Sequence, residues 1–368
     1  MDEKKLCVAV IFGGRSGEHE VSLQSARSVL GVLDPALYDV FQIGITHDGT
    51  WLVGGQVLQA MLDSATEGWA SGAILPAPSM NGLYKLQTGQ HLELLSQIDV
   101  VFPVLHGTYG EDGTLQGLLE LADLAYVGAG VLGSALAMDK GVFHAVMRAE
   151  GIPVVETLVV LRSEIQADMQ TALHRAETIA SYPLFTKPAN LGSSVGISKC
   201  NNRADLLEGL MEACRFDRRV LVQRGVNGRE IEVSVLGNDH PQASVPGEIL
   251  PSREFYSYEA KYIDNTSGLL IPAPIPDTTA ELARRLAVQA YQAVDCAGMA
   301  RVDFLLDRDS GELLLNEINT IPGFTQISMY PKLWEASGLP YPALVRKLIE
   351  LALERKADRD RIEHRYQV

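Results

Sequence analysis

Residues Leu6–Phe12 (LCVAVIF) are apolar throughout and stop at Gly13-Gly14, beyond which apolar residues return at helical spacing. A strand with no polar face has to be covered on both sides, and handing over to a helix through a glycine turn opens a βαβ unit. Val21, Leu23, Ala26, Val29, Leu30 and Leu33 give that helix its buried stripe. Two further runs, YDVFQIGIT (38–46) and IDVVFPVLHG (98–107), read as strands. The Gly-rich HGTYGEDG, a helix TLQGLLELA and a short strand LAYVG (124–128) follow the second run. The alternation predicts a parallel sheet with helices on its faces. Residues 54–97, carrying Gly, Pro and Ser, read as an irregular surface excursion.

A second unit is expected over 138–226 and a third over 227–368, after an N-terminal α/β domain at 1–137. The second opens with a helix from Met138-Asp139-Lys140 to Glu150, stopped by Gly151-Ile152-Pro153. TLVVL, a long helix over 163–180, PLFTK, SVGIS, a helix over 203–214 and RVLVQ complete it. The third starts with REIEVSVLG (229–237), which looks antiparallel, and is therefore α+β. It contains a helix over about 278–296, the strands RVDFLLD and ELLLNEIN, and a terminal helix from Pro342. The charged tail after Glu354 is expected to fray.

At 368 residues and 46% hydrophobic, the chain can bury several cores. A net charge of −15 argues against a nucleic-acid partner, which usually asks for a basic face. Cys7, Cys200, Cys214 and Cys296 show neither CxxC pairing nor metal-ligand spacing, as expected of reduced thiols in a cytoplasmic protein. The apolar start is too short for a signal peptide, and no run approaches the ~18 apolar residues of a membrane span.

Chemistry concentrates between Arg301 and Pro331. Asp303 lies on one apolar strand, Glu317 and Asn319 on the next, and alternation points the last two the same way. Three hard oxygen donors suit Mg²⁺, and Arg301 shares the face of Asp303. The alternative is a hairpin of solvated acids, which the apolar flanks of Glu317 and Asn319 disfavour. Lys187-Pro-Ala-Asn-Leu-Gly192-Ser193-Ser194-Val195-Gly196 joins two strands; glycines and hydroxyls there can cradle phosphate. Gly128-Ala-Gly130-Val-Leu-Gly133 matches a dinucleotide fingerprint, but Glu150 falls inside a helix where a second strand end is required. It reads instead as a Gly-rich hinge.

Several stretches in order now carry a resemblance: GGRSGEHEVSLQSA (13–26), HGTYGEDGTLQG (106–117), MDK (138–140), KPANLGSSVG (187–196), GREIEVSVLG (228–237), YEAKY (258–262), ARVDF (300–304) and NEINTIPGFTQISMYP (316–331). The chain resembles the D-alanine–D-alanine ligases of the ATP-grasp superfamily over roughly 6–355. That resemblance implies an ATP-grasp fold, with nucleotide held between central and C-terminal α+β domains. It implies ATP-dependent joining of two D-alanines through D-alanyl phosphate, in peptidoglycan precursor synthesis and cell-wall biogenesis. D-Ser or D-lactate is the alternative acceptor.

The resemblance also assigns roles. Asp303, Glu317 and Asn319 would hold two Mg²⁺ ions, with Mn²⁺ able to substitute. Lys140 and Lys187 match lysines approaching the nucleotide, and Lys261 one that reaches in from a lid loop. Glu230 matches the ribose-binding acid. Arg301 and the Gly323 N–H would stabilise the tetrahedral oxyanion. Glu18 matches the acid gripping the first ammonium, in a hydrogen-bonded triad with Ser193 and Tyr262. Ser328 and Met329 stand where the second carboxylate binds, and His106 lies near the substrates. Glu111 and Asp112 read as loop-forming and capping residues. The adenine hinge is Gln223-Arg224-Gly225-Val226, where relatives often carry Glu first; the Gln223 oxygen can still accept from an amino group. Tyr262 favours D-alanine as acceptor over D-lactate. Partners are ATP and D-alanine, with a homodimer expected by analogy.

Overall fold

The computed structural model describes residues 4–87, 91–192, 195–250 and 268–363. The apolar run forms β1 (Leu6–Gly13), and α1 (His19–Leu30) packs Leu23, Ala26 and Val29 on it. β2 (Tyr38–Ile45) and β3 (Trp51–Gly54) follow. The stretch read as an irregular excursion is structured: α2 (Val57–Leu62) precedes an antiparallel three-stranded sheet of β4 (Gly72–Ile74), β5 (Gly82–Leu86) and β6 (Leu92–Gln97). Its strands are short, β4 and β6 are partly or largely exposed and β5 buries only three residues, so no continuous apolar run announced them. β7 (Val100–Pro103), α3 (Thr114–Leu121) and β8 (Ala125–Tyr126) close the first sheet, in order β3-β2-β1-β7-β8. Its pairs are parallel except β2 with β3.

α4 (Val131–Met138) and α5 (Lys140–Ala149) come next, separated at Asp139, whose carboxylate accepts from Gly141 and Val142 N–H to cap α5. The Gly128–Gly133 run serves packing. A side chain on Gly133 would meet the Asp295 carbonyl at 2.8 Å, and one on Gly298 the Gly128 nitrogen at 3.0 Å.

The next sheet is antiparallel, β11-β10-β12-β9, from β9 (Thr157–Leu161), β10 (Leu184–Pro188), β11 (Ser198–Cys200) and β12 (Arg219–Arg224). The single helix expected over 163–180 is two, α6 (Arg162–Ala167) and α7 (Met169–Glu177), because Asp168 breaks the first and caps the second. The strand expected at SVGIS begins only at Ser198. α8 (Arg203–Phe216) lies on the same core, with Leu184, Val220 and Val222 pointing into it.

The third sheet is also antiparallel: β13 (Gly228–Gly237), β14 (Gln242–Ala243), β15 (Gly247–Leu250), β16 (Gly268–Leu270), then after α9 (Asp277–Ala293) the long hairpin β17 (Gly298–Asp307) and β18 (Leu313–Asn319). Its order is β16-β15-β13-β17-β18, with β14 beside β13. α5 and α9 cover one face; Phe143, Met147, Ala287 and Tyr291 meet Val233, Val302 and Leu315 there.

α10 (Met329–Ala336) and α11 (Tyr341–Arg359) return to the first sheet, where Leu344, Leu348 and Ile349 share a core with Val8, Val10 and Phe102. The tail expected to fray stays helical to Arg359. Arg355 donates to the carbonyls of Gly128 and Tyr126 and stacks on the Tyr126 ring at 4.3 Å, while Arg359 pairs with Glu120 and Asp123.

Candidate active site

Strand alternation builds a cavity of about 380 Å³ between the second and third sheets. On β10 and β12, Phe185, Lys187 and, opposite Phe185, Gln223 are among the residues that stay out of the helix-covered core, and all three line the cavity. On the third sheet, Val302, Phe304 and Ile318 pack under α5 and α9. Glu230, Glu232, Arg301, Asp303, Glu317 and Asn319 therefore face the cavity.

The register sets Glu232 opposite Asp303, and Asp303 opposite Glu317, so three acids stand in one row across β13, β17 and β18. Like charges directly opposed repel. Two cations offset them. The Arg301 fork donates to both Asp303 oxygens at 2.7 and 2.6 Å and lies 3.1 Å from Glu232. Lys140 Nζ sits 3.3 Å from Glu317 and donates to the Leu191 carbonyl at 3.1 Å. Asn319 donates its amide N–H to Asp303 at 2.9 Å. Two carboxylates and an amide oxygen make an all-oxygen set, and its demand for positive charge is visible in the cations gathered on it. Both properties fit a hard divalent ion.

Across the cavity, Lys187 is buried, and burial followed by the charge of Lys140 pushes its ammonium down to about 8. Arg224 donates to Glu156 at 2.7 Å and approaches Asp307 at 3.6 Å; Val226 and Glu230 line the cavity beside it.

The first unit contributes Glu18 and His106. Glu18 stands just ahead of α1, its N–H donating to Ser16 Oγ, which donates to the His106 carbonyl. Glycines crowd its carboxylate: a Cβ on Gly107 or Gly192 would lie 2.8 or 2.9 Å from Oε2. His106 Nδ1 faces the Ile321 carbonyl at 2.9 Å, so that nitrogen carries the proton, and Nε2 faces Ser25 Oγ at 3.1 Å. Burial holds the ring below its usual range, and the Glu18 charge opposes that shift. His106 thereby pins the Ile321–Phe324 segment carrying Gly323, a cavity residue, and Phe324 N–H donates to the same Ser25 Oγ at 3.3 Å.

The structure thus brings Glu18, His106, Lys140, Lys187, Gln223, Arg224, Val226, Glu230, Arg301, Asp303, Glu317, Asn319 and Gly323 to one cavity. Ser328 stands one turn behind: its Oγ would be 3.1 Å from a Cβ on Gly323 and lies 2.7 Å from Thr325 Oγ. The Met329 side chain packs away from the cavity on Ile249 and Leu333. Ser193, Lys261 and Tyr262 lie outside the described residues.

Sequence reasoning missed Glu232 and undervalued Glu111. Two-residue spacing from Glu230 was the available signal for the first. Asp112 is indeed a loop former, accepting from Tyr109 and Thr114 N–H. Glu111 accepts from Gly107 N–H at 2.8 Å but also lines the cavity, where burial and then the Glu18 charge push its carboxyl up to about 8.

Two family descriptions match this chain: "D-ala D-ala ligase N-terminus" over residues 7–129 and "D-ala D-ala ligase C-terminus" over 146–350. It is 50% identical to the D-alanine–D-alanine ligase of Natranaerobius thermophilus, over 97% of this chain and 98% of that one. The corresponding ligase of Heliobacterium modesticaldum is 48% identical, with 97% of each chain covered. Among solved structures, the D-alanine-D-alanine ligase from Coxiella burnetii superposes with a TM-score of 0.81 at 37% identity, covering 97% of both chains. The VanG D-Ala:D-Ser ligase from Enterococcus faecalis gives 0.84 at 36% identity, covering 95% of this chain and all of that one (100%).

Proposed function

The chain belongs to the D-alanine–D-alanine ligase family, with its ATP-grasp fold, and from that premise we propose how its cavity joins two D-alanines at the expense of ATP. The observation that carries the reading is the opposition of faces: Arg301, Asp303, Glu317 and Asn319 on one sheet, Lys187 and Gln223 on the other, with Glu18 at the junction with the first unit. Each face solves part of one problem, which is to bring an amino-acid carboxylate against a polyphosphate. Phe185, Val226 and Gln223 offer a base an apolar slot with one polar group. Lys140 and Lys187 replace water around the phosphates. Asp303, Glu317 and Asn319 would hold Mg²⁺, two ions with Mn²⁺ able to substitute; when bound, the metal neutralises phosphate charge.

Glu18 holds the ammonium of the first D-alanine. A carboxylate oxygen of that D-alanine attacks the γ-phosphorus, ADP departs, and D-alanyl phosphate results. The amine of the second D-alanine attacks that carbonyl, phosphate leaves, and the nitrogen loses its proton. Arg301 and the Gly323 N–H stabilise the tetrahedral oxyanion. Ser328, with the Met329 backbone, receives the second carboxylate, while Ser193, Lys261 and Tyr262 close the site. The three segments 1–137, 138–226 and 227–368 act as substrate, central and catalytic units of a cytoplasmic homodimer. Among the described residues no helix is long and apolar enough to cross a membrane.

The test is phosphate release from ATP with D-alanine, with L-alanine and with no amino acid. D-alanine alone is expected to stimulate it. Equal release in all three sinks the reading.

A further inference from the structure

Gln223 is a buried amide at the cavity wall, and an amide can face a ligand with either its oxygen or its nitrogen. The groups behind it decide which. β18 carries an extra residue at Asn316, since Asp303 pairs with Glu317 while Phe304 pairs with Leu315. Such a bulge takes its residue out of the ladder. The Asn316 carbonyl meets His144 Nε2 at 3.0 Å. A carbonyl only accepts, so Nε2 carries the ring proton, and in neutral His144 Nδ1 is an acceptor. Burial first, and then the charge of Lys187, hold this ring down to about 4, so it is neutral at physiological pH.

The second anchor is Thr157, whose hydroxyl lies 2.8 Å from the Val155 carbonyl and 3.0 Å from His144 Nδ1, both acceptors. Its one proton goes to one of these two, so toward Gln223 the Thr157 Oγ can only accept. Gln223 Nε2 lies 2.8 Å from Thr157 Oγ and 3.4 Å from His144 Nδ1. The amide nitrogen satisfies both. A flipped amide would press its oxygen against a second lone pair at Nδ1.

We propose that His144 and Thr157 are positioning residues that fix the Gln223 oxygen toward the cavity, so that the site selects a 6-amino purine over a 6-oxo purine. Polarity at the base slot is set by the acceptors behind it, the Asn316 carbonyl through His144 and the Val155 carbonyl or His144 Nδ1 through Thr157. The proposal rests on the cavity taking a nucleotide, as argued above, and deepens that reading.

The experiment compares equilibrium binding of ATP and inosine triphosphate, by calorimetry with Mg²⁺ present, so that it does not depend on turnover. The parent is expected to prefer ATP. Thr157→Val deletes the nearer anchor and is expected to cut the ATP-over-inosine preference about tenfold, the scale of one hydrogen bond. Thr157→Ser should restore it. Gln223→Glu in the Thr157→Val background should also restore it, because a carboxylate presents an acceptor in either orientation. Equal weakening of both nucleotides by Thr157→Val, or no restoration by Gln223→Glu, overturns the orienting role. Absence of preference in the parent overturns the selectivity. If neither nucleotide binds the parent, the cavity assignment fails first and this proposal falls with it.

Discussion

Arg301→Ala tests the row of acids most directly. The side chain makes two short hydrogen bonds to Asp303, at 2.7 and 2.6 Å, and lies 3.1 Å from Glu232. Deleting it leaves Glu232, Asp303 and Glu317 opposed across three strands, with Lys140 at 3.3 Å and the charge of Lys187 still acting on Glu317. Removing one partner of a buried pair costs about 3–5 kcal/mol, because the carboxylates left behind stay desolvated. A divalent ion supplies charge at the same place. Mg²⁺ at about a hundredfold over its dissociation constant should return about 2.7 kcal/mol. The assay is urea unfolding followed by tryptophan fluorescence, on parent and variant, with and without Mg²⁺. The variant should lose most stability in the metal-free arm and recover part of it with metal, while turnover stays down more than about a hundredfold for want of the oxyanion donor. A metal-free variant within about 1 kcal/mol of the parent would show that the acids are not held by Arg301, and the reasoning would fail.

Other outcomes follow from the same geometry. Lys187, held down to about 8, binds phosphate as the ammonium, so ATP affinity should be full below pH 8 and fall toward tenfold per unit above it. Calorimetry from pH 7 to about 9.5 reads this, and Lys187→Met should flatten the profile. For Glu111 the folded carboxyl is protonated up to about pH 8, whereas from an ordinary value of 4.5 the unfolded one ionises early. The parent therefore loses stability as pH rises between those values and Glu111→Gln does not; melting temperatures at pH 5 and pH 8 should show the variant gaining. A methyl on Gly192 would stand 2.9 Å from Glu18 Oε2, so Gly192→Ala should raise KM for D-alanine by about tenfold or more in steady-state kinetics. An unchanged KM would remove Glu18 from the ammonium site.

Periodicity was enough to expose the first sheet, because β1 and β7 are buried on both faces and have no polar residue to blur the run. The same logic hid β4–β6: β4 and β6 are partly or largely solvated, β5 buries only Gly82, Leu83 and Tyr84, and their pairing is to one another. On the third sheet, two-residue spacing assigned Glu317 and Asn319 to one face; the same arithmetic from Glu230 reaches Glu232. What spacing does not carry is the partner across the ladder. That Asp303 lies opposite both Glu232 and Glu317 depends on register, and register depends on where the chain turns. The bulge at Asn316 is equally silent in LLLNEIN, yet it brings His144 and Thr157, far from any motif, to the cavity wall. Glu111 was legible as a turn former; its raised carboxyl comes first from burial at the cavity wall and then from the charge of Glu18, 93 positions earlier in the chain (111 − 18), and neither shows in a turn motif.

The docking of α11 on the first sheet has a consequence for synthesis. Val8, Val10 and Phe102 are covered in part by Leu344, Leu348 and Ile349, which are synthesised more than 200 positions after Phe102 (344 − 102 = 242). At about 5–20 residues per second, the apolar side of the opening sheet waits roughly 15–60 s for its cover. During that interval α1, through Leu23, Ala26 and Val29, is the part of this core already in place, and the surface that α11 covers stays open. A polypeptide ending at residue 340 should stay protease-sensitive throughout its first 130 residues, and adding the peptide 341–359 in trans should protect it.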